Sequence, residues 1–145
     1  MNKMARPLRT QQGSMLLESL IAILIFSMGI LAIVGLQATS IKLAADAKYR
    51  SDASLLANQL LGQMWASDRT AAALQTNFAS PSGVLYTGWA TSVQSAVPGA
   101  TGVNAPQVTV NTAAGASLGT VQITIQWRGP SEATAHNYVA IAQIQ

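Results

Sequence analysis

Polar and apolar positions divide this chain into three stretches with different periods. Positions 19–41 carry no charged residue, and Leu20 to Leu36 is an apolar run broken only by Ser27 and glycines. As a helix this stretch is about 34 Å long at about 1.5 Å per residue, enough to cross a hydrocarbon core of about 30 Å. Charges return at helical spacing from Lys42: Lys42 with Asp46, Asp46 with Arg50, and Lys48 with Asp52 stand four apart, the spacing of a solvated helical face. Tyr49, Ala53, Leu56, Leu60 and Met64 form an apolar stripe at steps of three and four. No proline lies between Pro7 and Pro81. The pattern predicts one helix from about Ser14 to about Ser67, apolar all round in its first half and amphipathic in its second.

The third stretch alternates. Gln107 to Thr112 places Val108 and Val110 on one face. Thr120 to Arg128 places Val121, Ile123, Ile125 and Trp127 on one face and Gln122, Thr124, Gln126 and Arg128 on the other. Ala113 to Gly119 closes a hairpin between them, Gly129-Pro130 ends the second strand, and Tyr138 to Ile144 reads as a third strand with apolar groups on both faces. Between helix and strands, Thr70 to Asn77 reads as a helix end or short extension. Residues 79–106, punctuated by Pro81, Gly83, Pro98, Gly99, Gly102 and Pro106, read as loop with a short strand near Val84 to Trp89. The fold class is α+β: a long N-terminal helix packed on a small antiparallel sheet of three or four strands. The expected core of the domain joins Leu56, Leu60 and Met64 to Val121, Ile123, Ile125 and Trp127.

At 145 residues the chain holds one domain with a modest core. Only 9% of residues are charged, against about 25% in a typical soluble chain; the apolar run and the charge-poor C-terminal half account for the deficit. The net charge of +3 belongs to the first residues, because Lys3, Arg6 and Arg9 all precede Gly13. Setting those three of the eight basic residues aside leaves five against five acidic ones. A basic leader before an apolar run directs a chain to a membrane with its N-terminus cytoplasmic. There is no basic stripe of the kind nucleic acid requires. The absence of cysteine excludes disulfides, thiolate metal sites and a cysteine nucleophile.

From Thr70 to Gln145 the only acidic, basic or histidine residues are Arg128, Glu132 and His136. General acid–base catalysis needs titratable groups in mutual reach. Glu132 and His136 fall in a loop signal and are assigned no chemistry. No enzyme activity, cofactor or metal is expected.

The segment Gln12-Gly13-Ser14-Met15-Leu16-Leu17-Glu18, with its basic leader and following span, resembles the type IV prepilin cleavage motif. Leu17 to Ala22, Phe26 to Leu31, Gly35-Leu36-Gln37 and Ala57-Asn58-Gln59-Leu60 with Met64 resemble minor pilins of the PilV type, specifically over the first third of the chain and loosely beyond it. The resemblance implies cutting after Gly13 by a membrane prepilin peptidase, where glycine presents an unhindered, extended peptide. It implies methylation of the new amino terminus at Ser14, where many major pilins carry phenylalanine. It implies that Glu18, the fifth mature residue, pairs with the amine of a neighbouring subunit and sets axial register. A carboxylate in a lipid-embedded helix is costly and usually paired; a plainer role is to favour the positive N-terminus of its own helix.

Gly29 and Gly35 are candidate soft points of the helix, Gly35 lying where many major pilins carry a helix-kinking proline; close helix packing is the equal alternative. The implied organisation is a leader at 1–13, a membrane-spanning or filament-core helix at 14–41, an outer amphipathic helix at 42–69, and an extracytoplasmic β-domain at 70–145. The implied partners are the peptidase, other minor pilins, the major pilin, the inner-membrane assembly platform and the lipid bilayer. The protein would sit in a bacterial inner membrane and then at the pilus and cell surface, serving assembly, adhesion or twitching motility. Two rivals share these features: a minor pseudopilin of a type II secretion system, and a bitopic membrane protein with an uncleaved anchor. A secretory signal cut near Ala38-Thr39-Ser40 is a weaker fit, because the apolar run is longer than a usual signal core.

Overall fold

A computed structural model describes residues 12–112, 119–130 and 132–144. Helix α1 spans Gln12–Ala66, α2 Ala71–Phe78 and α3 Val84–Ala96; a 3₁₀ turn at Gly102–Asn104 follows. Strands β1 (Gln107–Thr112), β2 (Gly119–Trp127) and β3 (His136–Ile144) form one antiparallel sheet in the order β1-β2-β3. The class is α+β. The basic residues of the leader and the connection at 113–118 lie outside the described residues. The chain divides into two compact units, one ending at Leu43 and the next beginning at Ala44.

In the first unit, α1 carries an apolar stretch long enough to cross a membrane, and none of it is buried within the protein. Its large side chains are exposed throughout, from Met15 (71%) to Ile41 (71%). The hydroxyls of Ser27 and Thr39 donate to their own helix, to the carbonyls of Ile23 (2.7 Å) and Gly35 (3.1 Å). This back-bonding satisfies a polar group without outside help, as an apolar setting demands.

In the second unit, Ala53, Ala57, Leu60 and Met64 of α1 are fully buried. They share one core with Val121, Ile123, Ile125 and Trp127 of β2, Leu74 and Phe78 of α2, and Tyr86, Trp89 and Val93 of α3. Each fully buried large apolar side chain contributes about 1.5–3 kcal/mol. Leu56, expected in the stripe, is half-buried at the margin, and Ala57 takes the central place. Beside it the Trp89 indole of α3 donates to the carbonyl of Leu56 at 2.9 Å.

The region read as loop with a strand near Val84 to Trp89 is instead a helix, α3. Tyr86, Trp89, Ala90 and Val93 are its buried residues, at steps i, i+3, i+4 and i+7. Its Ser and Thr side chains obscured that period. They do not break the helix, because Thr91 and Ser92 donate to the carbonyls four residues back. Gly88 is exposed, with no neighbour where a Cβ would stand. Gly83 by contrast marks a real boundary: a Cβ there would lie 2.7 Å from the carbonyl oxygen of Asn77. Residues 70–77 also gain definition, since α2 begins at an N-cap whose Thr70 hydroxyl accepts from the amide of Ala73 at 3.4 Å.

The sheet follows its alternation. Val110 pairs with Val121 across β1 and β2, and Thr124 with Val139 across β2 and β3. One edge is clipped: Ser80 donates its amide to the carbonyl of Val108 (3.0 Å), and its hydroxyl accepts from the Val108 amide (3.1 Å). On β3 half-buried and exposed residues alternate, so Tyr138 and Ala140 face the core while Val139 and Ile141 face outward.

Candidate functional site

Two places carry chemistry, one in each unit. The first is the start of α1. Gly13 lies in its first turn, so the backbone there is helical and not extended as the sequence suggests. The first four amides of a helix have no intrahelical acceptor, so this turn unwinds at low cost. Ser14 and Glu18 are exposed on α1, one turn apart. Glu18 is the sole charged residue from Ser14 to Ile41. α1 runs without a break through Gly29 and Gly35, and a Cβ at either would meet nothing within 4 Å. Packing within one copy of the chain therefore does not require glycine at either position.

The second place joins the outer part of α1 to the turn end of the β2–β3 pair. The Trp127 indole donates to Asp46 Oδ1 at 2.9 Å. The same oxygen lies 3.7 Å from His136 Nδ1, and His136 Nε2 lies 2.9 Å from Glu132 Oε2. That glutamate oxygen also accepts from the amide of Gly129 at 3.1 Å. The Trp127 and His136 rings stack, with centroids 5.9 Å apart and planes 16° apart. Trp127 and His136 face each other across the last pair of the β2–β3 ladder, which brings both rings to one end of the sheet.

Glu132 and His136 thus do make specific contacts, and their partner Asp46 is remote in sequence. The charge pattern of α1 offered Asp46 only as a neighbour of Lys42 and Arg50. The pairing became visible with the β2–β3 register, which no local signal encodes. Chemically the cluster can hold two elements together. Among the described residues, the cluster's bonded groups include no hydroxyl or thiol, and no group of three His, Cys, Asp or Glu side chains is placed to hold a metal ion.

Other polar groups serve the fold. The Tyr86 hydroxyl donates to the carbonyl of Pro106, and burial pushes its pKa up from the ordinary tyrosine value. Ser54 donates to the Tyr138 hydroxyl at 3.3 Å. Lys48 pairs with Asp52 at 3.0 Å on the exposed side of α1, and this hydrogen bond raises the lysine pKa. None of the family models, characterised proteins or solved structures compared with the chain matches it.

Proposed function

We propose that the chain is a minor pilin of a type IV pilus, a structural subunit that primes assembly or joins the tip, with no catalytic role. One observation carries this reading. A glycine–serine junction, a glutamate one turn later and an unburied apolar stretch of membrane-spanning length stand in that order at the start of one uninterrupted helix. An anchor alone needs only the apolar stretch. It does not need a carboxylate placed where lipid makes it costly.

In this reading the helix stores the subunit in the inner membrane with its N-terminus cytoplasmic. Cleavage after Gly13 exposes the amine of Ser14, and Glu18 pairs with the amine of a neighbouring subunit. That charge-assisted contact fixes the axial step while the apolar side chains trade lipid for other helices. The second unit supplies specificity for neighbouring minor subunits.

Intact-mass measurement on membranes from cells with and without the prepilin peptidase tests the cleavage. The expected mature protein begins at Ser14 and keeps its apolar stretch. One full-length species in both strains, or a start near Ile41, rules the reading out. Glu18→Gln keeps the size of the side chain and removes its charge. Cleavage is expected to continue while incorporation into sheared pili falls; wild-type incorporation would remove the register role. A pseudopilin of a secretion system shares these features, and the genes beside this one, for pilus assembly or for secretion, separate the two.

A further inference from the structure

The outer part of α1 is held in two different ways along its length. From Ala53 onward it is anchored by fully buried apolar side chains: Ala53, Ala57, Leu60 and Met64. From Ala44 to Asp52 no side chain is fully buried; Ala45, Asp46, Tyr49 and Asp52 are half-buried and the others exposed. Yet this weakly packed end faces Trp127, the largest of the fully buried side chains. Besides Tyr49, which packs on the core, a polar set meets that end of the sheet: the Asp46 carboxylate on the indole N–H, His136 stacked on the indole face, and Glu132 gripping both His136 and the amide of Gly129. Asp46 and His136 keep 35% and 39% of their side-chain surface in solvent.

We propose that Asp46, His136 and Glu132 form a latch that holds the β2–β3 connection on the first turns of the outer helix, and that this latch opens without unfolding the rest of the domain. Segments with few buried apolar contacts open locally at a lower free energy than the whole fold. Residues 44–52 meet that condition and residues 53–64 do not. Opening frees residues 128–130 and 132–136 and brings Trp127 to the surface. Asp46 is the central element because one of its oxygens faces both the indole N–H and the imidazole. Lys42 and Arg50 stand one turn before and after it on α1, and Arg128 follows Trp127 in the connection, so charge is concentrated at this end of the domain.

Hydrogen exchange followed by mass spectrometry on the full-length protein in detergent tests it, with Leu60→Ala as the reference for a general loss of stability. Asp46→Ala removes a hydrogen bond to a charged acceptor, so exchange in 44–52 and 128–137 is expected to rise by about tenfold or more. Exchange in 53–64 and 119–125 is expected to stay at the wild-type rate. Asp46→Asn keeps an acceptor for the indole but loses the charge facing His136, and should open the same two segments to a smaller extent. If Asp46→Ala does not accumulate, Asp46→Asn carries the test alone. Unchanged exchange in 44–52 and 128–137 overturns the latch. So does a uniform rise across the domain like that of Leu60→Ala, because the cluster would then be an ordinary part of one cooperative fold.

Discussion

The two parts of α1 on either side of the Leu43–Ala44 boundary belong to one helix and both carry large apolar side chains, yet they use them in opposite ways. Leu20, Leu24 and Leu31 are 68%, 57% and 72% exposed, whereas Leu60 is completely buried. In the first unit the protein provides no cover, although the stretch is long and apolar enough to cross a membrane. In the second, the other two helices and the three strands of the same chain provide it. Hydrophobicity alone thus marks a surface that needs a partner; it does not say who the partner is. Distribution around the helix says more. An apolar surface on every side calls for an environment that surrounds the helix, while a stripe calls for a domain on one side.

Substitutions that treat the two parts alike give the sharpest tests of this contrast. The largest effect is expected at Trp127, whose truncation to alanine should cost about 3–5 kcal/mol, a large share of the roughly 5–15 kcal/mol that holds an ordinary domain together. Steady-state abundance and the thermal melting point of the solubilised protein should both fall. A stable, abundant Trp127→Ala protein would contradict the packing described for the second unit. Next is one substitution made twice. Leu60→Ala should cost about 2–5 kcal/mol, and Leu31→Ala should move the melting point by no more than about 0.5 kcal/mol implies. Equal losses at the two positions would erase the distinction.

Tyr86→Phe is expected to be milder. It leaves the ring and removes the hydrogen bond to Pro106, a loss of about 0.5–1.5 kcal/mol measurable by urea titration. The smallest effect concerns the same hydroxyl. Burial raises its pKa above the ordinary value of 10.0, so the folded state disfavours the phenolate. That contribution is fully present below about pH 10, where an unfolded tyrosine is still protonated, and is lost as pH rises through the folded pKa. Melting points recorded on either side of pH 10 should therefore fall more steeply in the wild type than in Tyr86→Phe.

Long signals with one period were legible: α1 from its apolar run and stripe, β2 from the alternation Val121, Ile123, Ile125, Trp127, and β3 from its apolar residues. α3 was not, although Tyr86, Trp89, Ala90 and Val93 stand at helical spacing. Helix propensity is weak for Thr, Ser and Gly, and flanking prolines and glycines made the segment resemble a loop. Tertiary cover decided the matter, because the Trp89 side chain is buried and its indole bonded to α1. Leu56 and Ala57 teach the same lesson at one-residue resolution: a period fixes a face to within a residue, and the neighbour that packs there selects its centre.

By itself the sequence determined the elements whose physics is local: the apolar stretch, the single charge at Glu18 within it, the glycine before Ser14, the amphipathic continuation and the alternating strands. Each follows from residue type and spacing along a few turns or one strand. The tertiary structure alone decided which distant groups meet. Asp46 and His136 are ninety positions apart, and their proximity depends on the β2–β3 register and on how the sheet lies against α1 within the second unit. Such a contact is set by the packing of a whole core, in which the side chain that fits is chosen by all its neighbours at once. No period along the chain records that choice.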